Sequence, residues 1–261
     1  IDKDWVLGHF LNAMFSFVDV QDNFTFKGGT CLHKCFIKDY RFSEDLDFTL
    51  LDAGFDVNKP FISKIMKKAS EESGIQFHLA NLYQQQSENI PQGYKAVIRF
   101  WGADHNPNQQ PLPYSRWQTS INVDISFSEK LFLQTVEKDI IHPYSDANLI
   151  KNSAVCYDFT EIFSEKIRAL KQRNRPRDVY DVWCLSKSAN STFPELRELL
   201  LKKSELKGLK IEGIHDFVNK EKALRNKRAW YQSLSNQMAA TDLPDFDVTY
   251  NELTTFLKTL L

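Results

Sequence analysis

Two spacings of apolar residues divide the chain into a strand-rich first part and a helical second part. Between residues 75 and 127, three segments alternate apolar and polar positions: IQFHLANLY, GYKAVIRFWGAD and RWQTSINVDISF. This alternation is typical of half-buried antiparallel strands, and the polar segments QQQSENIPQ and HNPNQQPLP between them predict loops. After Thr160 the apolar spacing becomes helical and predicts helices over 160–173, 177–188, 194–203, 211–222, 224–236 and 250–260.

The N-terminal part adds two helices to this sheet, one from Asp4 to Phe17 and one that follows Asn58 and ends near Gly74. Between them, residues 24–48 read as a strand, a turn, a helix and a second strand. We therefore predict an α+β fold: a mixed β-sheet with flanking helices over residues 1–150, followed by a helical bundle over residues 151–261. A cap at Thr160 is expected to begin the first helix of the bundle.

The turn in residues 24–48 contains the adjacent glycines Gly28 and Gly29, followed by Thr30. Glycine lets the backbone approach a ligand closely, and the N–H groups at the start of a helix suit a phosphate. The turn therefore predicts a phosphate-binding backbone. The alternative is an ordinary turn without a ligand.

Acidic residues follow this turn on the next predicted strand. Asp45 and Asp47 are two apart, so they project to one face while Leu46 faces the core. Paired carboxylates repel unless a cation neutralises them, and oxygen ligands favour Mg²⁺ or Mn²⁺. Asp124, on a later strand, is a candidate third metal ligand. The alternatives are a solvated acidic rim near Arg41 and, for Asp124, a surface position.

Charged residues also cluster in the predicted bundle. Lys166 lies beside the apolar face of EIFSEKIRALKQR, and Asp178 and Asp181 are three apart on the next helix. An ammonium group at Lys166 could offset the charge on a departing pyrophosphate. The alternative is an ion-pair network, including Arg177, that joins two helices.

Composition narrows the class of protein. Lys and Arg number 33 and Asp and Glu 34, so any contact with nucleic acid or an anionic membrane must come from a local patch. No apolar run reaches the roughly 20 residues of a membrane span. We expect a cytoplasmic protein without membrane contact. Its cysteines, which form no Cys-x-x-Cys pair, are expected to be buried thiols.

Taken together, FKGGTCLHK, RFSEDLDF, INVDIS, EIFSEKIRAL and RPRDVYDVW resemble the AbiEii/AbiGii toxin family within the DNA polymerase β-like nucleotidyltransferase superfamily. The resemblance covers nearly the whole chain. It implies a mixed-sheet catalytic domain with a helical bundle, magnesium dependence and transfer of a nucleoside monophosphate from an NTP. Members have been associated with toxin–antitoxin pairs, and some modify tRNA ends.

The resemblance also implies roles for individual residues. It matches Gly28 and Gly29 to the family's turn and Asp45 and Asp47 to its metal ligands. The residues matched in the bundle are the lysine Lys166 and the late aspartate Asp178, with Asp181 as its neighbour. The superfamily commonly has Gly-Ser where this chain has Gly-Gly-Thr, so Thr30 is expected to supply the hydroxyl.

The leading hypothesis is a nucleotidyltransferase acting on an acceptor hydroxyl of tRNA, other RNA or protein, with a cognate antitoxin as a further partner. Arg41 and Ser43 would contact phosphate or support the acids, and Asp124 or Asp178 would orient the acceptor. Two alternatives stay open: a catalytically idle fold that binds RNA or protein, and a hydrolase or kinase-type phosphoryl transferase.

Overall fold

The strands of the first part of the chain form one mixed sheet. The computed structural model describes residues 2–88, 90–102, 111–127, 129–188 and 193–261. Within these residues the sheet has seven strands in the order β3-β4-β5-β2-β1-β7-β6. The strands are β1 (Phe24–Lys27), β2 (Asp45–Leu50), β3 (Gln76–Ser87), β4 (Ile90–Trp101), β5 (Ser120–Ser126), β6 (Val136–Asp139) and β7 (Ser153–Cys156).

Both parallel and antiparallel pairs occur in this sheet, which confirms the predicted mixed topology. Strand β2 lies between β1, to which it is antiparallel, and β5, to which it is parallel. Strand β4 is antiparallel to both β3 and β5, and β1 is parallel to β7. The central position of β2 gives the predicted acid pair a neighbouring strand on each side.

The hairpin of β3 and β4 is longer than the sequence predicted. Gln84, Gln85 and Gln86 were expected in a loop, but they pair with β4 and continue β3 to Ser87. Strand β3 lies at the edge of the sheet and is largely exposed here, so polar side chains do not interrupt it. Residues 105–110 of the second predicted loop, 105–113, lie outside the described residues, as do 103 and 104 at the end of the strand predicted before it.

Helices α1 (Asp2–Met14), α2 (Val18–Asn23), α3 (Gly28–Cys31) and α4 (Lys59–Ser73) complete the first compact unit, Ile1–Tyr157. The core includes the fully buried rings of Phe24, Phe26 and Phe48. Helix α4 is delimited as predicted: the Asn58 side chain accepts a hydrogen bond from the Phe61 N–H, and Gly74 ends the helix with φ 74°.

The second compact unit, Asp158–Leu261, contains α5 (Phe159–Gln172), α6 (Pro176–Ser188), α7 (Phe193–Glu205), α8 (Lys220–Leu234) and α9 (Phe246–Leu260). The two units therefore divide beyond residue 150, because β7 belongs to the sheet. Asp158, and not the predicted Thr160, caps α5 by accepting a hydrogen bond from the Thr160 N–H.

The prediction of a helix over residues 211–222 is wrong. The chain forms only a short 3₁₀ turn at Ile214–Asp216 before Asn219 caps α8. The Asp216 carboxylate accepts hydrogen bonds from the backbone N–H groups of Glu212 and Gly213 and from Lys171. These local side-chain bonds compete with helix formation. Among the described residues, no helix combines the length and apolar character needed to cross a membrane.

Candidate active site

The glycine turn lies directly against the acid pair. Strand β1 ends at Lys27, and α3 begins at Gly28, which has φ 81°, and continues into a π-helical turn over Leu32–Phe36. A Cβ atom added to Gly28 would overlap the Asp47 Oδ2 atom and lie 3.2 Å from that side chain's Cβ and Cγ. Only glycine therefore fits at this position, both for its backbone angle and for its space.

The second glycine borders another pair of predicted site residues. A Cβ added to Gly29 would lie 2.8 Å from the Ser43 Oγ and 3.4 Å from an Arg41 guanidinium nitrogen. The Thr30 hydroxyl donates to the Asp45 backbone carbonyl at 2.6 Å and lies at hydrogen-bond distance, 3.0 Å, from the Ser43 Oγ. Thr30 therefore fixes the turn to the strand that carries the acids.

The acid pair projects from the sheet as predicted. Leu46 is fully buried, and Asp45 and Asp47 point to the opposite face of β2. In the parallel pairing with β5, Asp47 lies opposite Asp124 and Asp45 lies opposite Asn122. Residues opposite each other on neighbouring strands share a face, so all three carboxylates project to the side of the glycine turn.

Polar donors hold two of these carboxylates. The Asn122 Nδ2 donates to Asp45 Oδ1 at 3.0 Å. Asp124 accepts a hydrogen bond from the Gln85 Nε2 at 3.4 Å, and its Oδ2 lies 3.3 Å from the Lys95 Nζ. Partial burial alone would lower the pKa of Lys95, but the Asp124 and Asp45 carboxylates outweigh it and raise that pKa. Lys95 is therefore a cation resident in the acid cluster.

A second lysine borders the site beside the turn. Lys27 precedes Gly28 and pairs in register with Asp47. Its ammonium group forms an ion pair with Glu129 and lies 5.7 Å from the centroid of the Tyr157 ring. Lys27, Lys95 and Glu129 were not predicted from the sequence. The alternation of apolar and polar residues in β4 indicates only which side chains share a face with Lys95. Its position opposite Asp124 is set by the pairing of β4 with β5, which alternation does not predict.

The donor set fits a divalent metal ion. Asp45, Asp47 and Asp124 offer carboxylate oxygens on one face, which is the chemistry that Mg²⁺ and Mn²⁺ prefer. Gly28 lies directly against the Asp47 carboxylate, which any larger residue would displace. The geometry can therefore bring a phosphate on the turn close to a metal on the acids.

The remaining predicted residues belong to the helical unit, where they form ion pairs. Lys166 on α5 lies 2.8 Å from the carboxylate of the fully buried Asp181 on α6. Asp178, also fully buried, accepts three hydrogen bonds of 2.9–3.1 Å from Arg173 and one of 3.0 Å from the Arg175 N–H. These contacts correspond to the helix-joining network that the sequence left open, with Arg173 as the partner of Asp178.

Three solved structures have folds similar to this chain, and two of them are named as nucleotidyltransferases. MenT4, a nucleotidyltransferase toxin from Mycobacterium tuberculosis, is 18% identical with a TM-score of 0.64, over 99% of this chain and 84% of MenT4. JHP933 from Helicobacter pylori is 15% identical with a TM-score of 0.58, over 98% and 88%. A putative nucleotidyltransferase from H. pylori is 16% identical with a TM-score of 0.56, over 99% and 92%. These likenesses confirm the predicted fold class.

The curated proteins contain no significant match to this chain. A protein-family model does match, and it is described as nucleotidyl transferase AbiEii toxin of type IV toxin–antitoxin systems. The match extends over residues 9–252 and so includes the glycine turn, the three acids and most of the helical unit. It confirms the resemblance drawn from the sequence motifs, and the chain belongs to the AbiEii family of nucleotidyltransferase toxins.

Proposed function

We propose that this chain is a metal-dependent nucleotidyltransferase that moves a nucleoside monophosphate from an NTP to an acceptor hydroxyl. The observation that carries the proposal is the contact between Gly28 and Asp47, with Asp124 opposite Asp47 on the adjoining strand. A phosphate-binding backbone and a metal-binding carboxylate cluster are the two parts that such a reaction needs, and here they adjoin.

The metal would be held by Asp45, Asp47 and Asp124. A bound Mg²⁺ or Mn²⁺ would supply positive charge to the triphosphate as the bond to pyrophosphate breaks. The chain's own residues would do the positioning. The backbone of Gly28, Gly29 and Thr30 would hold the phosphates, supported by Ser43 and Arg41, and most of the acceleration would come from alignment and charge neutralisation.

Three residues of the helical unit keep the roles that the sequence predicted for them in nucleotide transfer. Lys166 would compensate charge on the triphosphate, and Asp178 with Asp181 would support the site. Within the helical unit, ion pairs already account for the burial of Asp178 and Asp181. The Lys166→Met variant tests this role by its affinity for NTP. If the variant folds normally and binds NTP as tightly as the wild type, Lys166 serves only the ion-pair network.

The proposed acceptor and partner rest on the family resemblance. We propose an acceptor hydroxyl on tRNA, other RNA or protein, and an antitoxin as the counterpart of this chain, because the family belongs to type IV toxin–antitoxin systems. The exposed side of the acid cluster, where Asp45 is on the surface, leaves the metal ligands accessible to an incoming hydroxyl.

The test is incubation of the full chain with Mg²⁺ and each of the four α-labelled NTPs, together with total cellular RNA and protein. We expect label in one of the two acceptor pools and release of pyrophosphate. Asp45→Asn and Asp47→Asn should abolish labelling and leave the melting temperature close to that of the wild type. The matched control is Asp19→Asn, which changes an exposed carboxylate on α2. Full labelling by both site variants would refute the assignment.

One observation favours a second candidate, an idle fold that binds RNA or protein. Lys95 and Gln85 already occupy the oxygens of Asp124, so the acid cluster is partly neutralised by the chain itself. A thermal-shift series separates the two functions, because a ligand that binds only the folded state raises the melting temperature. No shift with any NTP and Mg²⁺, together with no labelling, would favour the binding module.

A further inference from the structure

Three cysteines meet in the interior of the first unit. Cys31 ends α3, Cys35 lies on the π-helical turn that follows, and Cys156 ends β7. Their Sγ atoms all lie within 4.8 Å of one another, and the three residues are 0%, 6% and 0% exposed. The sequence predicted buried thiols, and these three are buried. Their convergence depends on the parallel pairing of β7 with β1.

We propose that Cys31, Cys35 and Cys156 form a binding site for a cuprous ion, coordinated by their three sulfur atoms. The site is separate from nucleotidyl transfer and does not depend on it. Thiolate ligands select soft metal ions, of which Cu⁺ and Zn²⁺ are the common choices. The number of ligands and the burial decide between these two ions.

A structural zinc site uses four protein ligands, and a catalytic zinc site keeps a water in the fourth position. Among the described residues, the group that converges here comprises three sulfurs without a histidine or carboxylate. All three cysteines are also buried, away from bulk water. A cuprous ion, by contrast, is stable with three sulfur ligands in a plane.

The spacing of the sulfurs suits such an ion. With metal–sulfur bonds of about 2.3 Å, a trigonal ion holds its sulfurs about 4 Å apart. The cluster spans up to 4.8 Å, so metal binding would require it to contract by less than about 1 Å. Cys31 and Cys35 are four positions apart on one continuous helical segment, so their Cβ atoms already share a face.

Coordination converts thiols to thiolates, and each one that binds the metal releases its proton to water. Three thiolates and one Cu⁺ leave two negative charges, which need nearby cations. Lys34 and Lys138 supply positive charge near Cys35. Lys34 is shared with Asp4, whose Oδ2 lies 3.1 Å from its Nζ.

The experiment uses the full chain, reduced and metal-free, under anaerobic conditions. Cu⁺ is supplied from a chromogenic chelator, and binding is followed by competition and by the ultraviolet sulfur-to-copper charge-transfer band. X-ray absorption then counts the sulfur neighbours of the bound metal. We expect one copper per chain with three sulfur neighbours, and a higher melting temperature when the metal is bound.

Cys156→Ser removes one ligand with little change in volume, and the affinity for Cu⁺ should fall by at least about 100-fold. Cys35→Ser should do the same. The matched control, Cys184→Ser, changes the partly exposed fourth cysteine on α6 and should bind Cu⁺ as the wild type does. Melting temperatures of the metal-free variants show that they fold.

Three results would overturn the proposal. One is wild-type affinity in the folded Cys156→Ser and Cys35→Ser variants. Another is a copper environment of nitrogen or oxygen neighbours in the wild-type chain. The third is stoichiometric binding of Zn²⁺ but not of Cu⁺, which would contradict the three-sulfur assignment.

Discussion

Replacing Gly28 by alanine tests whether the glycine turn positions the acid pair. Gly28 has φ 81° and lies against the Asp47 carboxylate, whereas Gly74 has φ 74° and no atom within 4 Å of an added Cβ. Gly74→Ala is therefore a matched control within the same unit. It imposes the same backbone strain as Gly28→Ala but displaces no neighbour.

The backbone strain should be similar in the two variants. A left-handed backbone costs an L-residue about 1–2 kcal/mol, and each kcal/mol lowers the melting temperature of a protein of this size by about 2–4 °C. Only Gly28→Ala must also move the carboxylate. Restoring ordinary contact requires a shift on the order of 1 Å, and a misplacement of that size at a reacting centre costs about 10²-fold in rate.

The assay compares the two variants in melting temperature and in transfer of label from an α-labelled NTP, with Mg²⁺ binding followed by thermal shift. We expect both variants to lose stability and only Gly28→Ala to lose transfer and the metal-induced shift. Equal transfer by Gly28→Ala and Gly74→Ala would refute the contact between turn and acids as a requirement. Loss of transfer in Gly74→Ala would show that stability, and not position, limits the reaction.

Three further predictions concern other contacts. Lys95→Met removes the resident cation, so Mn²⁺ measured by electron paramagnetic resonance should bind up to about fivefold more tightly; weaker binding would contradict the competition. Partial burial would raise the pKa of Asp216, but hydrogen bonds from Lys171 and the backbone lower it from 3.8 to about 2. The stability from this carboxylate is therefore present above pH 3.8 and lost as the pH falls through about 2. In urea titrations, Asp216→Asn should be less stable than the wild type at neutral pH, and the difference should shrink near pH 2; a difference independent of pH would refute the linkage. Arg173→Gln leaves the fully buried Asp178 carboxylate without its counter-charge and should cost about 1–3 kcal/mol of unfolding free energy, more than Asp178→Ala, because the half-exposed guanidinium that Asp178→Ala leaves behind can be solvated; the reverse order in chemical denaturation would contradict this assignment.

Local patterns predicted the elements that surround the site. Alternation over residues 75–127 identified three strands, and the two-residue spacing of Asp45 and Asp47 placed both acids on the face away from Leu46. The same patterns gave wrong predictions at two places. The Asp216 carboxylate holds a 3₁₀ turn where helical spacing predicted a helix. The exposed glutamines extend an edge strand because no core face constrains them.

By itself, the sequence determined which residues share a face and which family the chain resembles, because side-chain direction depends only on the local backbone period. Only the tertiary structure decided which strands are neighbours. The parallel pairing of β2 with β5 sets Asp124 opposite Asp47, and the pairing of β4 with β5 brings Lys95 to the same carboxylate. The pairing of β1 with β7 likewise brings Cys156 to Cys31 and Cys35. Such contacts join residues far apart along the chain, and register between strands is fixed by packing of the whole sheet, which no local period encodes.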